Sequence, residues 1–441
     1  TITTLGCKVN QYESQLARQQ LEDSGLQPVA LNQQPDLVIV RTCCVTATAS
    51  SKSRTIIAKA CRLSPGATVV AAGCLPVISA EEIRSTGPAT MLISDNDGLP
   101  DLVNRLICTE NRDSQQQTDS IKPENRDRIK NKNHAPGPLL DGTIRAFRGH
   151  TRAFLKIQDG CDAHCTYCII PRIRKTLRSK PEDLVLKEAR DLVAAGHKEI
   201  TLTGIFLGAY NRNTARRKTW TGSGEHLARL IEKVAAVKGL ARLRLSSLEP
   251  GDVTDELLSV ITANPNVAGH LHLPLQSGSD GVLRRMARQY RVADYLRVVD
   301  KVRAKLDRPA ITTDIIAGFP GETDSEFEET LRLARRIGFA RMHVFPFSLR
   351  KGTAAERLKG RLSLEIVRRR SVILGKLDTE MQEEFRKQFA GEKVALIVED
   401  ETHPAGRCQR YFMVRLQNAR GIRRGDMVYA TLSPDGCTAI M

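Results

Sequence analysis

Hydrophobic and polar positions fall into successive textures along the chain. In the first hundred residues, short apolar runs at 2–6, 37–41 and 68–72 read as strands. Amphipathic patterns between them predict one helix over 11–24, opened by Asn10 with Glu13 three residues on and closed by Gly25. A second is predicted over 47–63, closed by Pro65-Gly66. Strand and helix alternating at this spacing predict an open parallel α/β sheet. Residues 109–142 are polar, punctuated by Pro and Gly and without periodicity, which reads as a linker. From 151 a new alternation begins. Strands are predicted at 153–158, 199–203, 241–246, 270–275, 311–316 and 341–347, and helices at 181–195, 225–237, 254–262, 280–305 and 324–337. Six strand–helix units predict a partial (β/α)6 barrel of the TIM type. Residues 352–389 read as one long charged helix. After Gly391, short alternating strands at 393–400, 410–417 and 426–433 predict a small antiparallel β-barrel. The chain thus divides into an α/β domain at 1–108, a linker at 109–142, a barrel core at 143–379 and a terminal barrel at 380–441.

Composition narrows the class. Of 441 residues 41% are hydrophobic, which excludes a largely disordered chain. No window approaches 18 consecutive apolar residues, so no membrane span is expected. The start, Thr1 to Cys7, has neither a basic segment nor a long apolar one, so no signal peptide is expected. The missing initiator Met suggests a trimmed sequence, and a cytoplasmic location is the expectation.

Charge is unevenly spread. The formal charge is +17, from 67 Lys+Arg and 50 Asp+Glu. Residues 1–108 hold 9 basic and 9 acidic side chains, as do residues 380–441, whereas 151–379 hold 41 and 26. The excess of +15 in the central region implies a polyanionic partner such as nucleic acid, against the plainer reading of a solvated Arg-rich surface.

Eleven cysteines remain to be explained. The count is odd and a reducing cytosol disfavours disulfides, which leaves metal or redox chemistry. Cys161, Cys165 and Cys168 form a C-x3-C-x2-C loop just after a predicted strand. Such a loop can hold three corners of a [4Fe–4S] cubane and leave the fourth iron open to substrate. Zinc, with His164 as fourth ligand, is the alternative. Cys7, Cys43 and Cys74 each lie at or just beyond the end of a predicted parallel strand, so topology brings them to one sheet edge. Cys44 competes with Cys43, because adjacent side chains point apart. The alternative is that all are small buried hydrophobes.

Together, TLGCKVNQYESQ (4–15), RTCCVTATASSKSR (41–54), AAGCLP (71–76), LKIQDGCDAHCTYCIIP (155–171), RLSSLEP (244–250), HLPLQSGSDGVLRRMAR (272–288) and TTDIIAGFPGET (312–323) resemble the radical S-adenosylmethionine methylthiotransferases. The resemblance runs over essentially the whole chain. Its last part, roughly 380–441, is similar to the small RNA-binding barrel called TRAM. LGCKVNQYES is most similar to the tRNA threonylcarbamoyladenosine branch. Lys175 follows Arg174 where the family commonly has Gly.

The resemblance implies two [4Fe–4S] clusters, one on Cys161, Cys165 and Cys168 and one on Cys7, Cys43 and Cys74, with Cys44 incidental. It implies S-adenosylmethionine as cofactor, held by the backbone of Tyr167 and by residues at strand ends: Gly204, Ser247, Glu249, Gln276 and Gly318, with Thr203, Ser246 and Ser277-Gly278 beside them. Gly318 is expected to let a purine approach the backbone. Radical chemistry is expected because C2–H of an adenine is neither acidic nor electrophilic. The implied activity is conversion of N6-threonylcarbamoyladenosine at position 37 of a tRNA anticodon stem-loop to its 2-methylthio derivative. The sulfur, methylated by a second S-adenosylmethionine, would come from the Cys7 group, with an electron donor and a sulfur source as partners. Isopentenyladenosine tRNA or a ribosomal protein as substrate, and a non-catalytic Fe–S RNA-binding protein, are the alternatives.

Two further sets are weighed. Residues 407–424 hold six Arg and no acid, so Arg407, Arg410, Arg420, Arg423 and Arg424, with Arg415 among them, are expected to meet RNA phosphates, and Tyr411 and Phe412 to stack. Arg368, Arg369 and Arg370 form a further basic run. Cys61, Cys108, Cys408 and Cys437 are expected to be structural, and His270, His272 and His343 to be satisfied core histidines.

Overall fold

Val38, Ile39 and Val40 are β-branched and wholly buried, as are Val69 and Val70. Such runs suit a parallel sheet covered on both faces. Strands β1 (Ile2–Thr4), β2 (Leu37–Thr42), β3 (Thr68–Gly73) and β4 (Met91–Leu92) form it, all parallel and in chain order. Helices α1 (Lys8–Asp23) and α2 (Ala47–Leu63) connect them, and the short α3 (Cys74–Ile78) and α4 (Ala80–Thr86) follow β3. Thr46 caps α2 by accepting from Ala49 N at 3.1 Å. The strand pattern does not predict β4, which is only two residues long.

This computed structural model describes residues 1–87, 90–93, 140, 142–217 and 225–441. The expected linker, apart from 140 and 142, and Cys108 lie outside them. Two compact units result, Thr1–Ile144 and Arg145–Met441. No helix among the described residues is long and apolar enough to cross a membrane.

In the second unit six parallel strands follow one another in chain order: β5 (Arg152–Asp159), β7 (Glu199–Gly204), β8 (Arg242–Leu245), β9 (His270–His272), β10 (Ala310–Ala317) and β11 (Arg341–Pro346). Two sheets compose the arc, joined at the isolated bridges Leu243–Val267 and Ser247–His272. A two-residue strand, β6 (Arg178–Ser179), pairs antiparallel with the end of β5. The short α5 (Ile170–Ile173) follows the cysteine loop. Helices α6 (Glu182–Ala194), α7 (Glu225–Ala235), α8 (Asp255–Ala263), α9 (Asp280–Arg285), α10 (Val292–Lys305) and α11 (Asp324–Ile337) cover the arc.

Two differences from the expected pattern matter later. The helix expected over 280–305 is two helices. The chain breaks at Ala287, which takes φ 54°, and restarts where Asp294 accepts from Arg291 N at 2.9 Å and Asp280 from Val292 N at 2.8 Å. The long helix α12 runs over Leu364–Lys387, capped by Ser363, and not from 352.

The terminal barrel is closed and five-stranded: β12 (Lys393–Asp400), β13 (Ala405–Cys408), β14 (Met413–Gln417), β15 (Met427–Leu432) and β16 (Thr438–Ile440). One of its pairs, β14–β16, is parallel, where the alternating strands predict an antiparallel barrel. Its core takes in Phe385 of α12, Phe389 and Ala310 of β10, so it packs as part of the second unit. Cys408 is buried there, as a structural cysteine should be.

Candidate active site and its two cysteine groups

Both cysteine groups sit at C-terminal ends of parallel strands, where loops collect ligands. In the first unit Cys7 caps α1 just after β1, Cys43 follows β2 directly, and Cys74 opens α3 directly after β3. Cys7 is exposed, and Cys43 and Cys74 are buried. Burial pushes the Cys43 thiol up to about 11, and the nearby thiols of Cys74 and Cys7 raise it further. That mutual influence marks the three sulfurs as one group.

The backbone around them is tightly specified. Gly6 has φ 98°, and a Cβ there would lie 2.8 Å from Cys43 Cβ. Asn10 donates to Leu5 O at 2.8 Å and to Thr42 O at 2.9 Å, tying together the ends of β1 and β2. Thr42 Oγ1 donates to Ala72 O at 2.7 Å and accepts from Leu75 N at 3.1 Å, tying β2 to β3. Glu13 makes a wholly buried ion pair with Arg41. Asn10 and Glu13 of NQYE thus hold the ends of β1 and β2 in place, and Thr42 carries the tie on to β3. The sequence pattern misses this role, because it reads Asn10 and Glu13 as helix caps only.

In the second unit the chain leaves β5 through Gln158-Asp159-Gly160 into the Cys161–Cys168 loop. Asp159 accepts from Lys156 at 2.8 Å, from Arg174 Nη1 through both oxygens at 2.9 Å, and from Gly160 N at 2.8 Å. Gly160 has φ 80°, and a Cβ there would lie 1.9 Å from Thr176 O. At the other side of the loop, Asp162 accepts from Thr214 at 2.6 Å and from Ala215 N at 2.7 Å. Burial pushes both Cys161 and Cys168 up to about 12, with Cys165 adding to each. Thiols so raised are protonated at neutral pH, so iron must displace protons to bind them.

Arg288, in the break between α9 and α10, reaches this loop. Its Nη1 donates to Cys165 Sγ at 3.1 Å and lies 3.5 Å from Tyr167 Oη; its Nη2 donates to Glu249 at 2.6 Å. Arg288 is therefore a site residue that the helical pattern over 280–305 conceals.

The expected strand-end residues are brought together in part. Gly204 ends β7, and a Cβ there would touch Gln158 at 3.0 Å, beside the cysteine loop. Ser247 follows β8 and is exposed, and Glu249 is drawn in by Arg288. Gln276 follows β9 with φ 68° and is held by Asp314 O and Ile316 N at 2.8 and 2.9 Å. At Gly318 a Cβ would lie 2.5 Å from Val367 of α12, so the missing side chain lets that helix pack close. Gly278 likewise backs onto Thr330 of α11 at 2.6 Å.

The expected RNA-contacting arginines divide. Arg407 pairs with Glu399 at 2.9 Å and lies over Tyr411, while Arg410 pairs with Asp307 at 3.0 Å and lies over Phe389. These two cement the barrel instead of standing free in solvent. Arg415, Arg420, Arg423 and Arg424 are exposed, although Arg424 also donates to Gly149 O at 3.1 Å. Tyr411 stacks on His270 at 4.5 Å and so presents no free face there. His272 bonds Thr312 at 2.9 Å, as expected of a core histidine. Arg370 is buried against Glu322 at 2.6 Å, leaving Arg368 and Arg369 exposed. Among the described residues, no three His, Cys, Asp or Glu side chains close to the spacing of a single ion.

This fold and loop define a radical S-adenosylmethionine enzyme. The family model described as the radical SAM superfamily matches residues 155–334, and one described as uncharacterized protein family UPF0004 matches 1–94. A radical S-adenosylmethionine methyltransferase, TsrM from Kitasatospora setae, shares the fold at TM-score 0.53 and 16% identity, over 77% of this chain and 72% of that one. The threonylcarbamoyladenosine tRNA methylthiotransferase of Chlamydia pneumoniae is 36% identical over 91% of this chain and 87% of its own length. That of Bacillus subtilis is 34% identical over 90% and 84%. The tRNA-2-methylthio-N(6)-dimethylallyladenosine synthase of Moorella thermoacetica is 33% identical over 90% and 86%. The chain belongs to the methylthiotransferase family of radical S-adenosylmethionine enzymes.

Proposed function

We propose that this chain places a methylthio group on C2 of N6-threonylcarbamoyladenosine at position 37 of tRNA. One observation carries the reading: two cysteine triads, each on the C-terminal edge of its own parallel sheet, in a chain aligned over nine-tenths of its length with tRNA methylthiotransferases. When bound, an iron–sulfur cluster at Cys161, Cys165 and Cys168 supplies the electron that splits S-adenosylmethionine, and a second at Cys7, Cys43 and Cys74 supplies sulfur. The chain's own part is placement. Gly160, Asp159 and Arg174 fix the first loop, and Asn10 and Thr42 fix the strand ends that carry the second group. Tyr167, Gly204, Ser247, Glu249 and Gln276 form the rim that takes S-adenosylmethionine, with Glu249 oriented by Arg288. Arg420, Arg423 and Arg424 offer phosphate contacts. Cleavage of S-adenosylmethionine must be started by an electron and the product gains a sulfur atom, so a reductant and a sulfur source are partners, and a tRNA substrate accords with a cytoplasmic location.

Relatives named for the threonylcarbamoyl nucleoside range from 32 to 36% identity and those named for dimethylallyladenosine from 30 to 33%, and the upper end of the first range, 34–36%, favours the former substrate. The test is nucleoside analysis of tRNA after incubation with reconstituted, reduced enzyme and S-adenosylmethionine. A 2-methylthio product on threonylcarbamoyladenosine supports the reading. The same product on dimethylallyladenosine moves the substrate. 5′-Deoxyadenosine without any modified nucleoside points to a protein substrate. Neither product leaves a non-catalytic RNA-binding protein.

A further inference from the structure

A cavity of ≈120 Å³ opens between the arc, α12 and the terminal barrel. It is lined by Thr312 of β10, Arg341 at the start of β11, Gln382 and Arg386 of α12, and Arg407 and Arg410 of the terminal barrel, with Tyr411 and Phe412 beside them. Thr312 and Arg341 lie toward the N-terminal ends of their strands, the opposite end from Gln276 and Gly318.

Four arginines thus line one small space, and none of the lining side chains is acidic. Arg407 and Arg410 are balanced from behind by Glu399 and Asp307. Burial still depresses Arg410, so its carboxylate partner leaves the cation under-compensated. Arg341 and Arg386 form no ion pair among the described residues, and Arg386 Nε is buried without a hydrogen-bond partner. Asp378 feels Arg341, but its two oxygens already accept from Met342 N at 2.6 Å and Gln382 Nε2 at 2.7 Å. Asp378 and Glu383 bear on Arg341 and Arg386 from outside the lining, yet the space itself is walled by arginines alone among charged side chains, and it favours an anion.

Size decides which anion. The cavity is well under the roughly 300 Å³ at which pockets for drug-sized ligands begin, so it admits neither a nucleoside nor S-adenosylmethionine. Guanidinium groups from three separate elements suit a tetrahedral group with several acceptor oxygens. We infer that this cavity is a phosphate site, and that its occupant is a backbone phosphodiester of the RNA substrate. This inference rests on the tRNA reading given above. The site would let the junction between core and terminal barrel grip RNA remote from the reacting base.

The test compares holoenzyme with Arg341→Ala/Arg386→Ala, a pair outside the cysteine groups and outside the ion pairs that fix the barrel. Binding of tRNA is measured over a salt series. The double variant should bind about tenfold more weakly at low salt, and its log–log salt slope should shrink by about 0.7–0.9, one phosphate's share. Iron content and tRNA-independent cleavage of S-adenosylmethionine should be unchanged, and product should still form at saturating tRNA. The exposed pair Arg368→Ala/Arg369→Ala controls for net charge, and an equal loss there would overturn a specific site. Unchanged affinity and slope in the first variant overturns the RNA assignment. If inorganic phosphate raises the melting temperature of wild type but not of that variant while tRNA binding is equal in both, the cavity takes a free anion and the RNA source is refuted. Loss of all tRNA modification by wild type would instead sink the substrate reading.

Discussion

Arg288 Nη1 donates to Cys165 Sγ at 3.1 Å from within a buried setting. Burial alone would pull this guanidinium down, but Glu249 more than offsets it, and Arg288 is held well above its ordinary value. It is a permanent cation whose field falls on a cysteine of the proposed open-iron cluster. Donors and positive charge at a cluster sulfur favour the reduced, more negative state.

Replacing Arg288 with Met should therefore move the midpoint potential of that cluster in the negative direction. A loss of one charged hydrogen bond suggests a shift of about 60 mV or more, the tenfold step for a one-electron couple. Redox titration followed by electron paramagnetic resonance reads this directly. Arg288→Lys should recover part of the shift, because it returns the charge without the fork geometry. An unchanged potential at full iron occupancy would assign Arg288 to packing alone.

The two cysteine groups should load independently. Reconstituted protein should bind about eight irons, two cubanes of four. Joint Ala replacement of Cys161, Cys165 and Cys168 should leave one cluster, and of Cys7, Cys43 and Cys74 the other. Cys43→Ala should lose the second cluster and Cys44→Ala should not, since it is the Cys43 thiol that the Cys7 and Cys74 thiols influence. The reverse outcome in iron analysis would transfer the ligand role to Cys44.

Radical formation should separate from sulfur insertion. The Cys7→Ala enzyme should still cleave S-adenosylmethionine to 5′-deoxyadenosine, because the loop after β5 is untouched, yet yield no methylthio product. Loss of cleavage at full occupancy of the Cys161 group would contradict this split of roles.

Acid should loosen the second unit as pH falls below about 4.3 toward 2. Burial works against ionised Glu199, but Arg244, Arg242 and Arg152 outweigh it and hold the carboxyl down to about 2. A depressed acid contributes stability above its unfolded value, near 4.3, that is lost as pH falls toward 2. The contribution is on the order of 3 kcal/mol, since each unit is about 1.4 kcal/mol. Arg242 and Arg244 also donate to Ala395 O, Arg407 O, Cys408 O and Gln409 O, so Glu199 organises the seat of the terminal barrel. Glu199→Gln should cost about 3–5 kcal/mol at pH 7 and flatten the acid limb of the stability curve. Chemical denaturation from pH 7 down to 3 checks both statements.

Much of this is legible in the sequence because chain order fixes it. Cysteines placed after parallel strands meet at one edge whatever the packing, so both groups can be placed from spacing and strand pattern, although the choice of Cys43 over Cys44 rests on the resemblance. Arg288 is not legible, since its access to Cys165 comes from a helix break set by Asp280 and Asp294. Arg407 and Arg410 are legible only in part, for a related reason. Their local sequence holds no acid, but Glu399 lies 8 residues away across a strand pair and Asp307 lies 103 residues away. Gly318 is legible only in part, because the neighbour that its missing side chain accommodates, Val367, arrives from another element. Long-range partners are what a local pattern cannot carry.

Those same partners decide how RNA binding by the terminal barrel must be tested. Removing residues 391–441 would strip the cover from Phe385 and Phe389 and leave Arg242 and Arg244 without their carbonyl acceptors, so a truncated chain would report on folding rather than on RNA. Point changes at exposed positions avoid this. Arg420, Arg423 and Arg424 are exposed, and only Arg424 donates its guanidinium to the core, at Gly149 O. Arg420→Gln/Arg423→Gln should leave the melting temperature and both clusters unaltered, because exposed substitutions of this kind stay within about 0.5 kcal/mol. Binding of tRNA should weaken, and its salt slope should fall by about 0.7–0.9 for each phosphate no longer neutralised. Cleavage of S-adenosylmethionine without tRNA should not change. Equal affinity and slope in variant and wild type would confine RNA binding to the +15 central region and leave the terminal barrel as a structural cap.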